Sequence, residues 1–328
     1  MFSTQLAAPK IWRRHWHSPN LMIDATRVAK NLIHVPYVWV AVGALYLTDA
    51  IWCWRIGLTL SDYSGFLTII CVLLAVTALL RGKQRDPRLA VASEVWALWM
   101  MFANSANLLT YLAATPALPL RDEFFAGLDI DLGFQWMALF NLVQAHPGIN
   151  RLLSICYDSL IPEILVLSIF LSFARLDRRL REFFWIAYIA ILLTSVISSL
   201  APSVSAFPGH GLAGKAGWLH DLGPLRGGAD LRFALPDMVG LVTFPSFHAV
   251  LALLVIYITR RTGLAGHLFA FWNVIMLVSI VPLGGHYLVD IIGGAGVLAI
   301  AIMAHRWAVR LHGRFDGYRI PRGKHAAA

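Results

Sequence analysis

Charge is scarce in this chain. Only 14% of its 328 residues are Asp, Glu, Lys or Arg, against 58% hydrophobic residues and a mean hydropathy of +0.66. That balance excludes an ordinary soluble domain and predicts an all-α, polytopic integral membrane protein. Cysteine is scarce too. Cys53, Cys71 and Cys156 are scattered, each in or beside an apolar stretch, without CxxC or metal-ligand spacing. Neither a disulfide framework nor a structural zinc is expected. The first 34 residues are polar and basic, and no short apolar run precedes a small-residue cleavage site. A cleavable signal peptide is therefore not expected. The net charge is +9. Its basic clusters are short, flank apolar runs and accompany no nucleic-acid-binding motif, so nucleic acid is not an expected partner.

Long apolar runs are what the chain has in plenty. A ruler of about 20 apolar residues per helical span predicts eight transmembrane helices, at 35–56, 64–80, 90–112, 155–174, 183–200, 245–259, 268–284 and 288–305. Pro162 and Pro282 fall within or at the ends of spans and are candidate kinks. Twelve Trp, many near span ends, suit an interfacial belt. Lys and Arg gather in 1–34, "RGKQRDPR" (81–88), "RLDRRLRE" (175–182), Arg260-Arg261 and the tail from Arg306 to Lys324. Eight spans put all of these on one side, which the positive-inside rule makes cytoplasmic, with both termini inside. The division this predicts is a cytoplasmic segment 1–34, N-terminal helices over 35–112, the rest of a catalytic core over 113–305, and a basic tail over 306–328.

Two longer segments then lie outside: 113–154, and 201–243 with its many Gly and Pro. "FPSFH" (244–248) and "GGHYLVD" (284–290) reach the same membrane face. His286 and Asp290 are four apart, so they share a helix face, with Asp290 about 6 Å deeper along the axis. The carboxylate is placed to accept the Nδ1–H of His286, leaving Nε2 outward as a nucleophile. Gly284-Gly285 permit a tight turn whose N–H groups suit an anion. Alone, the pair reads equally well as a structural polar pair, and His312/Asp316 in the basic tail is a decoy of the same spacing. His248, at the start of another span on the same face, supplies the second half of an acid–base pair suited to phosphoryl transfer. Ser246 is either a helix cap or a phosphate ligand.

"PSFH" followed by "GGHYLVD" resembles motifs two and three of the type 2 phosphatidic acid phosphatase superfamily, P-S-G-H and S-R-x5-H-x3-D. The branch it most resembles holds inositol phosphorylceramide synthase and the sphingomyelin synthases, with P-S-x-H and H-Y-x-x-D. "DEFFAGLDIDLGFQW" and "HPGINRLLSICYDSLIPE" (122–163) are similar to the outer segment and following helix of bacterial members of that branch. The resemblance covers about 120–305 and implies a six-helix core. It implies that His286 forms a phosphohistidine, Asp290 orients it, His248 serves as general acid and then base, and Ser246 holds a phosphoryl oxygen. The partners it implies are a lipid phosphate or phospholipid and an alcohol or lipid acceptor, at an extracytoplasmic site in a bacterial inner membrane.

Two departures stand out. Ile280 occupies the place of the phosphatases' third-motif Arg. The region expected to carry their first motif, Lys, six residues, Arg-Pro, reads "SSLAPSVSAFPGH" without a basic residue. Phosphate charge must then be met elsewhere, with Gly285, His210, Lys215, Arg226 and Arg232 as the candidates. No cofactor is expected, and no metal, because no carboxylate cluster suited to Mg²⁺ lies at that face. Tyr157, Asp158 and Glu163 border the site and are assigned to packing, as is "GGAG" (293–296). Tyr287 is read as an interfacial anchor, and Asn104 and Asn107 as interhelical hydrogen bonders. A proton-coupled anionic-lipid transporter and a non-catalytic lipid-binding relative remain open at this point.

Overall fold

A computed structural model describes residues 36–82 and 87–316. The segment 1–34, the middle of "RGKQRDPR" and the end of the tail lie outside the described residues, as do the side chains of His312 and Asp316. Thirteen α-helices run through the described chain: α1 Pro36–Ile56, α2 Ser64–Gly82, α3 Pro87–Ala114, α4 Asp122–Asp131, α5 Trp136–Ala145, α6 Pro147–Asp158, α7 Leu160–Phe173, α8 Asp177–Leu200, α9 Ala206–Gly209, α10 Leu219–Gly227, α11 Phe247–Thr259, α12 Leu264–Gly284 and α13 Leu288–Asp316.

Each of the eight predicted spans holds a helix, but their capacity to cross a bilayer differs. Five helices are individually long and apolar enough: α1, α2, α8, α12 and α13. The predicted span 155–174 is a broken one. Here α6 and α7 pass the same test only as a pair, bent by 55°. The break falls at Ser159, ahead of the expected kink site Pro162. Pro162 has no N–H and its ring crowds the carbonyl four residues back, at Asp158, so the helix breaks before the proline. Ser159 Oγ donates to Cys156 O (2.7 Å) and accepts from Trp272 Nε1 (2.8 Å), fixing the corner. The predicted span 245–259 is a 13-residue helix, α11. The polar side chains of α3 tie helices together. Asn104 Oδ1 accepts from Tyr46 Oη (2.9 Å), Glu94 from Trp39 Nε1 (3.3 Å) and Arg81, and Ser105 donates to Asp49. Asn107 instead donates to the backbone of the outer segment, at Met238 O (3.1 Å).

The core lies where α3, α7, α8, α11 and α13 meet, around Trp99, Phe102, Phe183 and Phe184. On α13 one face runs Asp290, Gly293, Gly294, Val297, Ala301, a helical period that packs on α8 and α11. At one end of this bundle the basic clusters converge. Arg179 Nη1 donates to Ile258 O (2.9 Å) and Arg260 O (2.6 Å), and Arg306 donates to Tyr257 Oη (3.2 Å). His248 and Asp290 lie at the starts of α11 and α13, so they occupy the opposite end, about 20 Å away at 1.5 Å rise per residue.

The outer segment 113–154, to which the sequence assigns no helix, is largely helical at that far end. It holds α4, α5 and α6, and leaves Phe124, Ile130, Leu132, Leu142, Ile149, Leu152 and Ile155 exposed. Polar loops do not carry such side chains; helices lying against lipid do. Their local signal was weak because each helix is only 10 to 12 residues long. In 201–243 the short helices α9 and α10 are joined by a small parallel pairing of β1 (Thr59–Ser61) with β2 (Arg232–Ala234). Gly57 in the left-handed region ends α1, with Leu58 N donating to Cys53 O (3.0 Å), and turns the chain into β1.

Candidate active site

The site is built where α11, α13 and the α4–α6 layer meet. Ser246 caps α11: its Oγ accepts from Ala249 N (3.3 Å), while its own N–H donates to Asp290 O (3.0 Å). The starts of α11 and α13 are thus stitched together through the backbone. Gly293 and Gly294 make the approach possible. A Cβ on Gly294 would stand 2.6 Å from Ser246 O, and one on Gly293 would stand 2.7 Å from the Phe244 ring. Gly293-Gly294 of "GGAG" is therefore a close-packing element, and what it packs is the His248 helix onto the Asp290 helix.

His286 and Asp290 are both buried. His286 Nδ1 lies 3.0 Å from Asp290 Oδ2, which also accepts Tyr287 N–H (2.9 Å). The carboxylate thereby fixes the ring's orientation; in the tautomer with the proton on Nδ1, Nε2 carries the lone pair. Burial lowers the pKa of His286 to about 4, partly offset by the Thr243 carbonyl, so the imidazole is neutral at physiological pH. Behind it, His286 O accepts from Trp136 Nε1 (2.9 Å). His248 stacks on Tyr157, with ring centroids 4.8 Å apart and planes at 4°. The 55° bend between α6 and α7 is what brings Tyr157 there.

Two carboxylates of α4 brace the segment, and the sequence reading missed both. Asp129 accepts Leu288 N (2.8 Å) and Val289 N (3.0 Å), the first amides of α13, from 159 residues away. Burial raises its pKa while these two bonds lower it. Asp122 accepts Ser203 Oγ (2.7 Å), Val204 N (3.1 Å) and Ser205 N (3.2 Å), holding the strand-like stretch that lies over Gly285. The available signal was the seven-residue spacing of the two Asp, with buried Phe125 between them on one helix face.

The proposed phosphate ligands are dispersed. Gly285 is in the left-handed conformation and a Cβ there would collide with Phe207 and Ser205. Its carbonyl accepts Ala206 N (2.7 Å) and Ser205 Oγ (2.8 Å). Glycine is needed there for the turn and for the close packing against the 205–207 segment. Exposed His210 stacks on Trp136 at 4.8 Å, one side chain removed from His286 O, and Lys215 sits 5.7 Å from the Phe140 centroid in the same layer. Arg226 Nη2 donates to Leu118 O (2.7 Å) while its buried Nη1 has no partner among the described residues, and Arg232 pairs with Asp230 (3.1 Å) beside the strands. Tyr287 is not an interfacial anchor: it is buried, with its hydroxyl 3.3 Å from Ser205 O and 3.5 Å from Asp122 Oδ1. Among the described residues no group of three His, Cys, Asp or Glu is placed to hold a metal ion.

A model of the PAP2 superfamily matches residues 123–304, more than half of the chain, with His248, His286, Asp290, Asp129 and Tyr157 inside the match. The chain belongs to the PAP2 superfamily. No curated protein and no solved structure matches it. PAP2 membership supports phosphatase-type chemistry on lipid phosphates in general terms. In this PAP2 chain the His of "PSFH" and the His and Asp of "GGHYLVD" lie together, and neither position 280 nor "SSLAPSVSAFPGH" carries a Lys or Arg.

Proposed function

We propose that this chain is an integral membrane phosphotransferase or phosphatase of lipids, similar to inositol phosphorylceramide synthase, working through a phosphohistidine. The observation that carries the reading is the His286–Asp290 hydrogen bond. It holds a neutral imidazole with one nitrogen committed and the other available, beside a second histidine. His286 Nε2 attacks phosphorus. The bond to the lipid oxygen breaks, and His248, which takes up a proton when the anionic phosphate binds beside it, gives that oxygen this proton. The phosphorylated imidazole is positively charged and the Asp290 carboxylate balances it. His248, now neutral, takes a proton from water or an alcohol. That oxygen attacks phosphorus, and the P–N bond pair returns to His286.

The donor is a lipid phosphate or phospholipid and the acceptor is water, an alcohol or a lipid hydroxyl. The basic clusters at the opposite end of the bundle support a cytoplasmic placing of both termini, and hence an extracytoplasmic site in a bacterial inner membrane. The absence of the superfamily's basic positions favours transfer between lipids over plain hydrolysis. The test supplies the purified protein with phosphatidate and diacyl phospholipids, each with and without diacylglycerol or ceramide as acceptor. Turnover that His286→Ala abolishes in folded protein supports the reading. Lipid movement across vesicles with no chemical change would replace it with a transporter, and an unchanged rate in His286→Ala sinks the mechanism.

A further inference from the structure

Among the described residues no Lys or Arg is bonded to His248 or His286, so another donor must face the oxygens that gain charge in the transition state. Tyr157 is placed for it. Its ring lies flat on His248. Its hydroxyl and the His286 ring both approach Gly284. A Cβ on Gly284 would stand 3.0 Å from Tyr157 Oη and 2.9 Å from His286 Cδ2. Cδ2 is bonded to Nε2, so the hydroxyl sits by the edge of the ring that carries the nucleophilic nitrogen. Gly284 keeps that gap clear of a side chain. Tyr157 Oη makes no hydrogen bond to any described residue, and it is not among the oxygens sealed from solvent without a partner. Phenylalanine would stack on His248 equally well, so packing alone leaves the hydroxyl without a purpose.

We infer that the Tyr157 hydroxyl is the hydrogen-bond donor to a non-bridging phosphoryl oxygen in this site, while its ring positions His248. The inference rests on the phosphoryl-transfer reading above, and it assigns a substrate contact to a residue outside the superfamily motifs. A neutral donor in place of a guanidinium also fits a substrate phosphate of low charge, a diester, better than a dianionic monoester.

The test uses the full chain in detergent, with Tyr157→Phe and Tyr157→Leu, and two readouts. Orthovanadate binding is followed by tryptophan fluorescence, and turnover is measured with the lipid panel above. Tyr157→Phe keeps the stack and loses the donor. Its melting temperature should hold, orthovanadate should bind about tenfold more weakly, and kcat should fall about 100-fold with KM little changed. Tyr157→Leu should in addition displace the pH–rate profile, because His248 loses its platform, an effect that Tyr157→Phe should not show. Wild-type orthovanadate binding and turnover matched within about twofold by Tyr157→Phe would overturn the assignment alone. Tyr157-dependent orthovanadate binding without turnover of any lipid would overturn the proposed function and leave the phosphoryl site standing. Neither binding nor turnover in the wild type would overturn both.

Discussion

Asp129 offers a way to disturb the nucleophile without touching it. Its two oxygens accept the N–H groups of Leu288 and Val289, at 2.8 and 3.0 Å, and the side chain is 3% exposed. These are the first free amides of α13, two and three residues after His286. In Asp129→Asn the amide oxygen keeps one of the two bonds, and the NH₂ group faces the other N–H. One buried donor is left unsatisfied, at a cost of about 1–3 kcal/mol. Asp129→Ala strands both, for about 2–5 kcal/mol. The start of α13 can recover part of that only by shifting, and His286 moves with it. A displacement near 1 Å costs on the order of 100-fold in rate. The expected result is therefore a kcat lowered by at least about tenfold in Asp129→Asn, and lowered further in Asp129→Ala. KM should change little, and Asp129→Asn should still purify folded with a reduced melting temperature. Steady-state turnover and thermal melting on the same preparations check it. Full kcat in a destabilised Asp129→Asn protein would refute the reasoning, because the carboxylate would then hold the fold without holding the histidine.

Gly294→Val places a Cβ 2.6 Å from Ser246 O and 3.1 Å from Ala249 Cβ, and should push α11 from α13 at a cost of about 1–3 kcal/mol with loss of turnover. Gly296→Ala meets nothing within 4 Å and should behave as wild type in the same assays. Burial lowers the pKa of His286 from an ordinary 6.5 to about 4, so below 6.5 the unfolded chain binds a proton that the folded chain refuses. Stability should fall as pH drops from 6.5 towards 4, by about 1.4 kcal/mol per unit and roughly 3 kcal/mol over the window. Melting curves should show His286→Asn losing less stability than wild type across that interval; equal losses would contradict a neutral, buried His286.

Apolar length and the spacing of polar residues within a helix were legible in the sequence. The eight long apolar segments each contain a helix, and the four-residue spacing of His286 and Asp290 yields the Nδ1–carboxylate contact by helix geometry alone. Glycines at 293 and 294 could be read as packing, though not what they pack against. What escaped depends on contacts distant in sequence. Asp129 meets Leu288 and Val289 across 159 and 160 residues, and Tyr157 reaches His248 only because α6 and α7 break at Ser159. No local period records either fact. The settings of the basic candidates Arg226 and Arg232 escaped for a related reason. Charge marks a residue as able to bind phosphate, but only the folded chain places Arg226 against Leu118 O and Arg232 beside Asp230.

The central claim is that phosphorus becomes covalently bound to His286. The direct measurement is to mix the purified protein with a lipid phosphate labelled at phosphorus, quench within the first turnover in alkali, and map the label by peptide mass spectrometry. The account predicts an acid-labile phosphoryl group on the peptide holding His286, absent in His286→Ala and chased off by an alcohol acceptor. Steady turnover with no label on His286 at any quench time would contradict it.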